Sequence, residues 1–356
     1  MSEKLLSVRD LHVGFHTDDG IVKAVDGLSF DVEPGQTVGI VGESGSGKSV
    51  SSMTLLGLTR ADNAEISGSI RFDGRDLMGL DEESLREVRG NDIAMIFQDP
   101  LTCLHPYYKV GKQLVEAIQV HSEMDKNQAR KHATELLGMV GIPDPDRRFG
   151  EYPHEFSGGM RQRAMIAMAL TNDPKLLIAD EPTTALDVTI QAQILRLLRR
   201  LQEELGMAMI LITHDLGVVV EVASEVLVLY GGRVVERGTL EEIFYDPQHP
   251  YTWGLLGSVA RVDGTRSTRL TQIAGQPPSL ISPPSGCHFR TRCPHEFERC
   301  QTVPPLEPRS GGSHLDRCWL PVDKRPGLRT LESGEIGLPE KDAPETVAAA
   351  ETKETT

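Results

Sequence analysis

Two periodicities divide the chain. From Leu5 to Val32, apolar and polar residues alternate around Asp18-Asp19-Gly20, the two-residue period of an antiparallel hairpin. Val38–Val41 is a short apolar run that leads into glycines and then into the helical pattern Ser49–Leu58, a strand–loop–helix unit. Lys175–Ala179 and Met207–Thr213 read as two further buried strands. Between them, Thr189–Leu205 carries Ile190, Ile194, Leu197, Leu198 and Leu201 on one helical stripe. Val110–Gly138 reads as two helices, Lys112–His121 and Gln128–Gly138. Strands alternating with helices predict an α/β layer with a mostly parallel sheet, an antiparallel β flank and a helical insert.

The composition changes after about Thr239. Proline pairs recur (Pro277-Pro278, Pro283-Pro284, Pro304-Pro305) and four of the five cysteines fall between Cys287 and Cys318. From Leu331, Glu, Thr, Ala, Pro and Lys dominate, the composition of a disordered tail. The expected division is 1–240 for a main domain, with its helical part about 100–172, then 241–330 for a small extension and 331–356 for the tail. No internal duplication is visible. Met1-Ser-Glu-Lys lacks the apolar stretch of a signal peptide. The longest apolar run, Leu216–Tyr230, is broken by Glu221, Ser224 and Glu225, short of the roughly 18 residues that suggest a membrane span. A net charge of −15 argues against nucleic acid as the main partner, because phosphate contacts need clustered Lys and Arg.

The chemistry begins at Gly42-Glu-Ser44-Gly45-Ser46-Gly47-Lys48-Ser49, which fits G-x-x-x-x-G-K-[ST] without a mismatch. Glycines let successive N–H groups point at phosphate oxygens, Lys48 can bridge β- and γ-phosphates, and the Ser49 hydroxyl can ligate Mg²⁺. The apolar strand Leu176-Leu-Ile-Ala carries Asp180 and Glu181 at its end. Asp180 suits the Mg²⁺ shell, and Glu181 suits a general base that polarises the attacking water.

Phe156-Ser157-Gly158-Gly159-Met160-Arg161-Gln162-Arg163 resembles the signature motif of ABC ATPases, with Phe and Met at the ends of the usual Leu-Ser-Gly-Gly-Gln. The resemblance implies an ABC-type nucleotide-binding domain with a RecA-like core, binding ATP with Mg²⁺. In that family the signature grips the γ-phosphate held by the opposite subunit, so Ser157, Gly158 and Gly159 become nucleotide contacts in trans. It further implies that Gln98 is the Q-loop glutamine near Mg²⁺ and water, His214 the switch histidine and Asp187 the D-loop aspartate. Phe15 is the candidate aromatic stacked on adenine, with His16 or Val25 as other contributors.

Asp246-Pro-Gln-His249-Pro250-Tyr251-Thr252 resembles the segment opening the C-terminal extension of oligopeptide, dipeptide and nickel importer ATPases. Gln98–Pro106 resembles their extended Q-loop, with Cys103 read as a small buried residue. Cys287, Cys293, Cys300 and Cys318 are spaced C-x5-C-x6-C-x17-C, which lacks the paired C-x2-C knuckles of a zinc ribbon. Loop-spaced thiolates suit a [4Fe–4S] cluster, which the D-type members of the family are thought to carry; zinc, four unliganded thiols, or ligation by His288, His295 or His314 stay open. The implied function is ATP-driven import of peptides, with nickel or another small solute, or a soluble ABC ATPase, as alternatives. The implied partners are a second ATPase subunit of the paralogous F-type, two transmembrane permeases contacted near Gln98–Pro106, and an extracytoplasmic binding protein. The implied location is the cytoplasmic face of the membrane.

Overall fold

The computed structural model describes residues 4–99, 103–184, 186–258, 273–308 and 312–333. Pro100, Leu101 and Thr102 of the expected permease-facing segment lie outside these residues, as does the expected tail beyond Ser333.

β1 (Leu6–Thr17) and β2 (Gly20–Val32) form the expected hairpin, closing at Thr17 opposite Gly20. β4 (Ala64–Phe72) pairs with the free edge of β1, and β5 (Arg75–Asp76) with β4, giving a four-stranded antiparallel sheet in the order β2-β1-β4-β5. The second sheet has eight strands. Its parallel centre is β9 (Glu225–Tyr230), β3 (Thr37–Val41), β8 (Ala208–Thr213), β7 (Leu176–Asp180) and β6 (Ile93–Ile96), in that spatial order. Every residue of β3, β7 and β8 is buried. That is why these strands read as unbroken apolar runs: a parallel sheet is covered on both faces and leaves no polar side to alternate with.

α1 (Lys48–Leu55) follows β3 directly. α2 (Glu82–Val88) links the two sheets. α3 (Val110–His121) and α4 (Lys126–Met139) start within two residues of their predicted limits, and Asp125 and Gln128 close a reciprocal cap on α4. Both pack with α5 (Gly158–Ala169) around Leu114, Ile118, Leu136, Leu137 and Phe156. The stripe predicted on α6 (Val188–Leu205) is buried at Ile194, Leu197, Leu198 and Leu201. No described helix is long and apolar enough to cross a membrane.

The segment after Thr239 packs onto the main domain. β12 (Leu315–Asp316) pairs with β10 (Arg233–Thr239), and β11 (Glu307–Pro308) pairs with β12, so the segment completes the large sheet. Its attachment is buried and polar. The Glu236 carboxylate accepts from the N–H groups of Gln248 and His249 and lies 2.7 Å from His314 Nε2. Arg325 pairs with Asp316 at 3.0 Å, both buried. Near the hairpin, Lys23 N–H donates to Leu280 C=O at 3.0 Å.

The expected [4Fe–4S] or other metal site at Cys287, Cys293, Cys300 and Cys318 is corrected. Among the described residues, no group of three or more His, Cys, Asp or Glu is placed to hold a metal ion. All four are free cysteines, and Cys287 and Cys293 pack against the apolar cluster of Tyr230, Tyr251 and Phe289. Burial pushes the Cys287 thiol up, and those of Cys293 and Cys318 to about 12, so the thiolate that a metal requires is disfavoured. These thiols act as small apolar residues.

Candidate nucleotide site

The phosphate loop lies between β3 and α1, where a backbone with side chains could not pass. A Cβ on Gly42 would stand 2.2 Å from the Leu229 carbonyl oxygen, and one on Gly47 2.1 Å from that of Ala24. Gly47 also caps α1 at φ 99, a conformation other residues avoid. The loop thus turns its N–H groups inward at the positive end of α1, where an anion is favoured.

Lys48 is buried and donates to the carbonyls of Gly42 at 2.7 Å and Glu43 at 3.0 Å. Burial lowers its pKa, against the pull of Glu181, Asp180 and Glu43. This holds the ammonium on weak neutral acceptors, ready to move to a phosphate oxygen. Asp180 closes β7 beside the loop, with its side chain hydrogen-bonded to Ser49. Its Oδ1 is buried without a hydrogen-bond partner, and burial raises its pKa. An orphaned carboxylate oxygen next to a serine hydroxyl fits a hard divalent cation, so Ser49 and Asp180 would hold Mg²⁺. When bound there, Mg²⁺ offsets phosphate charge.

Glu181 sits one residue beyond the strand with φ 47, the left-handed region that costs a non-glycine residue about 1–2 kcal/mol. Its N–H is pinned to the Ile212 carbonyl at 2.9 Å, which turns the side chain out over the loop. There Gln98 Nε2 donates to Oε2 at 2.8 Å, Thr184 Oγ1 donates to the same oxygen at 2.9 Å, and His214 Nδ1 stands 3.3 Å from Oε1. Gln98 and His214, both expected near the reacting phosphate from the resemblance, thus converge with Thr184 on one carboxylate. Thr184 was not singled out in the sequence, since a threonine two residues after Pro182 carries no distinctive spacing.

The cleft, of about 740 Å³, is lined on one side by Ser44, Gly45, Lys48, Ser49, Gln98 and Glu181. Its other wall was not foreseen: Leu255 and Ser258 at the end of α7 (Pro250–Gly257), with Ile273, Pro277 and Arg292 beyond them. Phe15 is not in the lining. It is half-buried on β1 opposite Val22 and Ala64 and packs against the core.

Ser157 caps α5 by accepting from Met160 N–H at 3.3 Å, and Asp187 caps α6 by accepting from Ile190 N–H at 3.0 Å. Ser157, Gly158 and Asp187 are exposed and Gly159 is half-buried, none of them in the chain's own cleft. Phe156, the unusual first residue of the signature, is buried among the helices, which accounts for its apolar character.

Residues 25–184 match the ABC transporter family, and residues 235–300 match the C-terminal region of oligopeptide/dipeptide transporters. Among similar proteins, the dipeptide transport ATP-binding protein DppD of Bacillus subtilis is 54% identical over 89% of this chain and 95% of its own length. The oligopeptide transport ATP-binding protein OppD of Escherichia coli is 51% identical over 91% and 95%. Of solved structures, the post-hydrolysis dimer of the ATP-binding cassette MJ0796 with ADP and Pi aligns with TM-score 0.60 at 28% identity, covering 66% of this chain and 98% of that one. The structure of cbiO1 of Clostridium perfringens, part of the ABC transporter complex cbiONQ, aligns with TM-score 0.59 at 29% identity, over 69% and 92%. A phosphate loop facing a Glu–Gln–His cluster, on a chain about half identical to the DppD and OppD proteins along most of its length, is that of an ABC ATPase: the chain belongs to the family of peptide ABC transporter ATP-binding subunits.

Proposed function

We propose that this chain hydrolyses ATP to power peptide import through a membrane ABC transporter. The observation that carries it is the convergence of Gln98, Thr184 and His214 on Glu181 above the phosphate loop. Glu181 takes a proton from water as its oxygen attacks the γ-phosphorus. The bond to the β–γ bridging oxygen breaks, and ADP and phosphate leave. His214 and Gln98 orient the carboxylate, while Lys48 follows the charge of the transferring group.

The exposed signature supports a two-chain site. Ser157, Gly158 and Gly159 present free donors at the start of α5 while standing outside their own cleft, so their phosphate belongs to a second ATPase subunit. That subunit is a paralogue of the F-type, with Asp187 at the contact between the sites.

Permease docking is supported by an apolar groove of about 570 Å³ between β6 and the helices, lined by Leu58, Phe97, Cys103, Val120, Met165 and Met168. Leu58, Phe97 and Val120 are exposed there, apolar surface that a membrane subunit would cover. Phe97 adjoins Gln98, so a push in the groove reaches Glu181 within one residue. The chain therefore works at the cytoplasmic face of the membrane, with solute delivered by an extracytoplasmic binding protein.

The test is purification of the tagged chain from its native membrane together with peptide uptake by a strain lacking it. Two permease chains and an F-type ATPase are expected to co-purify, and uptake of di- or oligopeptides should return with the gene. Recovery without permeases, or restored uptake of nickel but not of peptides, would overturn the reading.

A further inference from the structure

Arg292 and Glu43 stand 249 positions apart in sequence and make the most complete polar contact in the molecule's nucleotide cleft. The Arg292 side chain is 4% exposed. Its Nη1 donates to Glu43 Oε2 at 2.5 Å and to Tyr230 Oη at 3.2 Å. Nη2 donates to Glu43 Oε1 at 3.0 Å and to the Ile273 carbonyl at 3.1 Å, and Nε donates to the Ala274 carbonyl at 2.9 Å. A guanidinium has five N–H donors in a fixed fork, and all five are used.

Glu43 is equally committed. Its main-chain N–H donates to Tyr251 Oη at 2.8 Å, and its carbonyl accepts from Lys48 Nζ and from Ser46 N–H. The C-terminal segment thus holds Glu43 by side chain and main chain together. The residue it holds carries one of the two carbonyls on which the Lys48 ammonium rests.

We infer that Arg292 is a positioning residue of the nucleotide site, fixing the phosphate loop in its binding conformation by clamping Glu43 from the C-terminal segment. A glycine-rich loop left alone samples many backbone states, and each must be given up on binding. A bidentate, partly buried ion pair at its second residue removes part of that freedom beforehand. The pair is not required to attach the segment. β12 on β10, Asp316–Arg325, Glu236–His314 and Lys23–Leu280 already do so. Its location on the loop marks its purpose.

The inference rests on Gly42–Ser49 as the nucleotide site, so binding of a fluorescent ATP analogue with Mg²⁺ to the unaltered full chain is measured first. No binding there overturns that reading, and the clamp falls with it. Given binding, Arg292→Ala is expected to raise Kd, and KM in the assembled transporter, about tenfold, the cost of breaking a charged hydrogen-bond pair. kcat should change by less than about threefold, because the clamp acts on the empty loop and bound phosphates order that loop once it is filled. Arg292→Lys should recover part of the affinity through its charge but not its fork. Amide exchange across residues 42–48 should accelerate in Arg292→Ala without nucleotide. Glu43→Gln should match Arg292→Ala, and the double variant should be no worse than either. Should Arg292→Ala fail to fold, Glu43→Gln decides alone, since it leaves Arg292 bonded to Ile273, Ala274 and Tyr230. Unchanged Kd and exchange in a folded variant, or additive losses in the double, would overturn the clamp.

Discussion

Gln98 reaches across 83 residues of sequence to donate a 2.8 Å hydrogen bond to Glu181. It thereby joins the end of β6, which borders the apolar groove, to the carboxylate that faces the phosphate loop. Replacing Glu181 with Gln keeps its volume and its contacts with Thr184 but removes the base. Phosphate release should fall about 10²–10⁴-fold while ATP affinity holds within a few-fold. Steady-state phosphate release and equilibrium binding on the same preparation check both halves.

Gly47→Ala is expected to destroy nucleotide binding. The added methyl would sit 2.1 Å from the Ala24 carbonyl oxygen, and neither backbone can yield without opening the loop against β2. Calorimetric titration should show at least a tenfold loss, with a lowered melting temperature as the companion sign.

Val120 is 62% exposed on the groove wall, so Val120→Asp should cost the isolated chain little. In the assembled transporter the same charge would be buried against apolar surface. Co-purification with the permease chains should drop about tenfold or more, for each 1.4 kcal/mol of desolvation left unbalanced. Pull-down from detergent extracts measures it.

His249 is fully buried with its pKa depressed from 6.5 to about 3, first by desolvation and then by Arg325 and Arg317. The unfolded chain therefore binds one more proton than the folded one between these values. Stability from this group is complete above about pH 6.5 and is lost as pH falls toward 3, by up to about 1.4 kcal/mol per pH unit. His249→Asn, whose side-chain oxygen can still cap α7, should flatten that slope in denaturant melts taken from pH 7 to pH 4.

The sequence carried those parts of the fold that repeat locally. β3, β7 and β8 were legible because both faces of each strand are buried, and α6 because its stripe has one side in the core. Gln98, Glu181 and His214 were legible because their neighbours, not they themselves, form recognisable patterns. The second wall of the cleft was not. Arg292 meets Glu43 only through the packing of a loop-rich segment whose contacts are made one at a time, and no periodicity announces such contacts. The four cysteines misled for a related reason. Spacing suggested ligands, whereas burial among aromatic rings leaves Cys287 and Cys293 as protonated packing residues.

The large sheet is finished by Leu315 and Asp316, added against β10 long after the phosphate loop and Glu181 in chain order. A ribosome that has delivered every catalytic group has therefore not yet delivered the strand that covers the sheet's edge, nor the arginine that steadies the loop. The full set of contacts on the loop is in place only once Arg292 has been delivered. A message truncated before that point leaves the edge of β10 open, free to pair with a neighbouring chain.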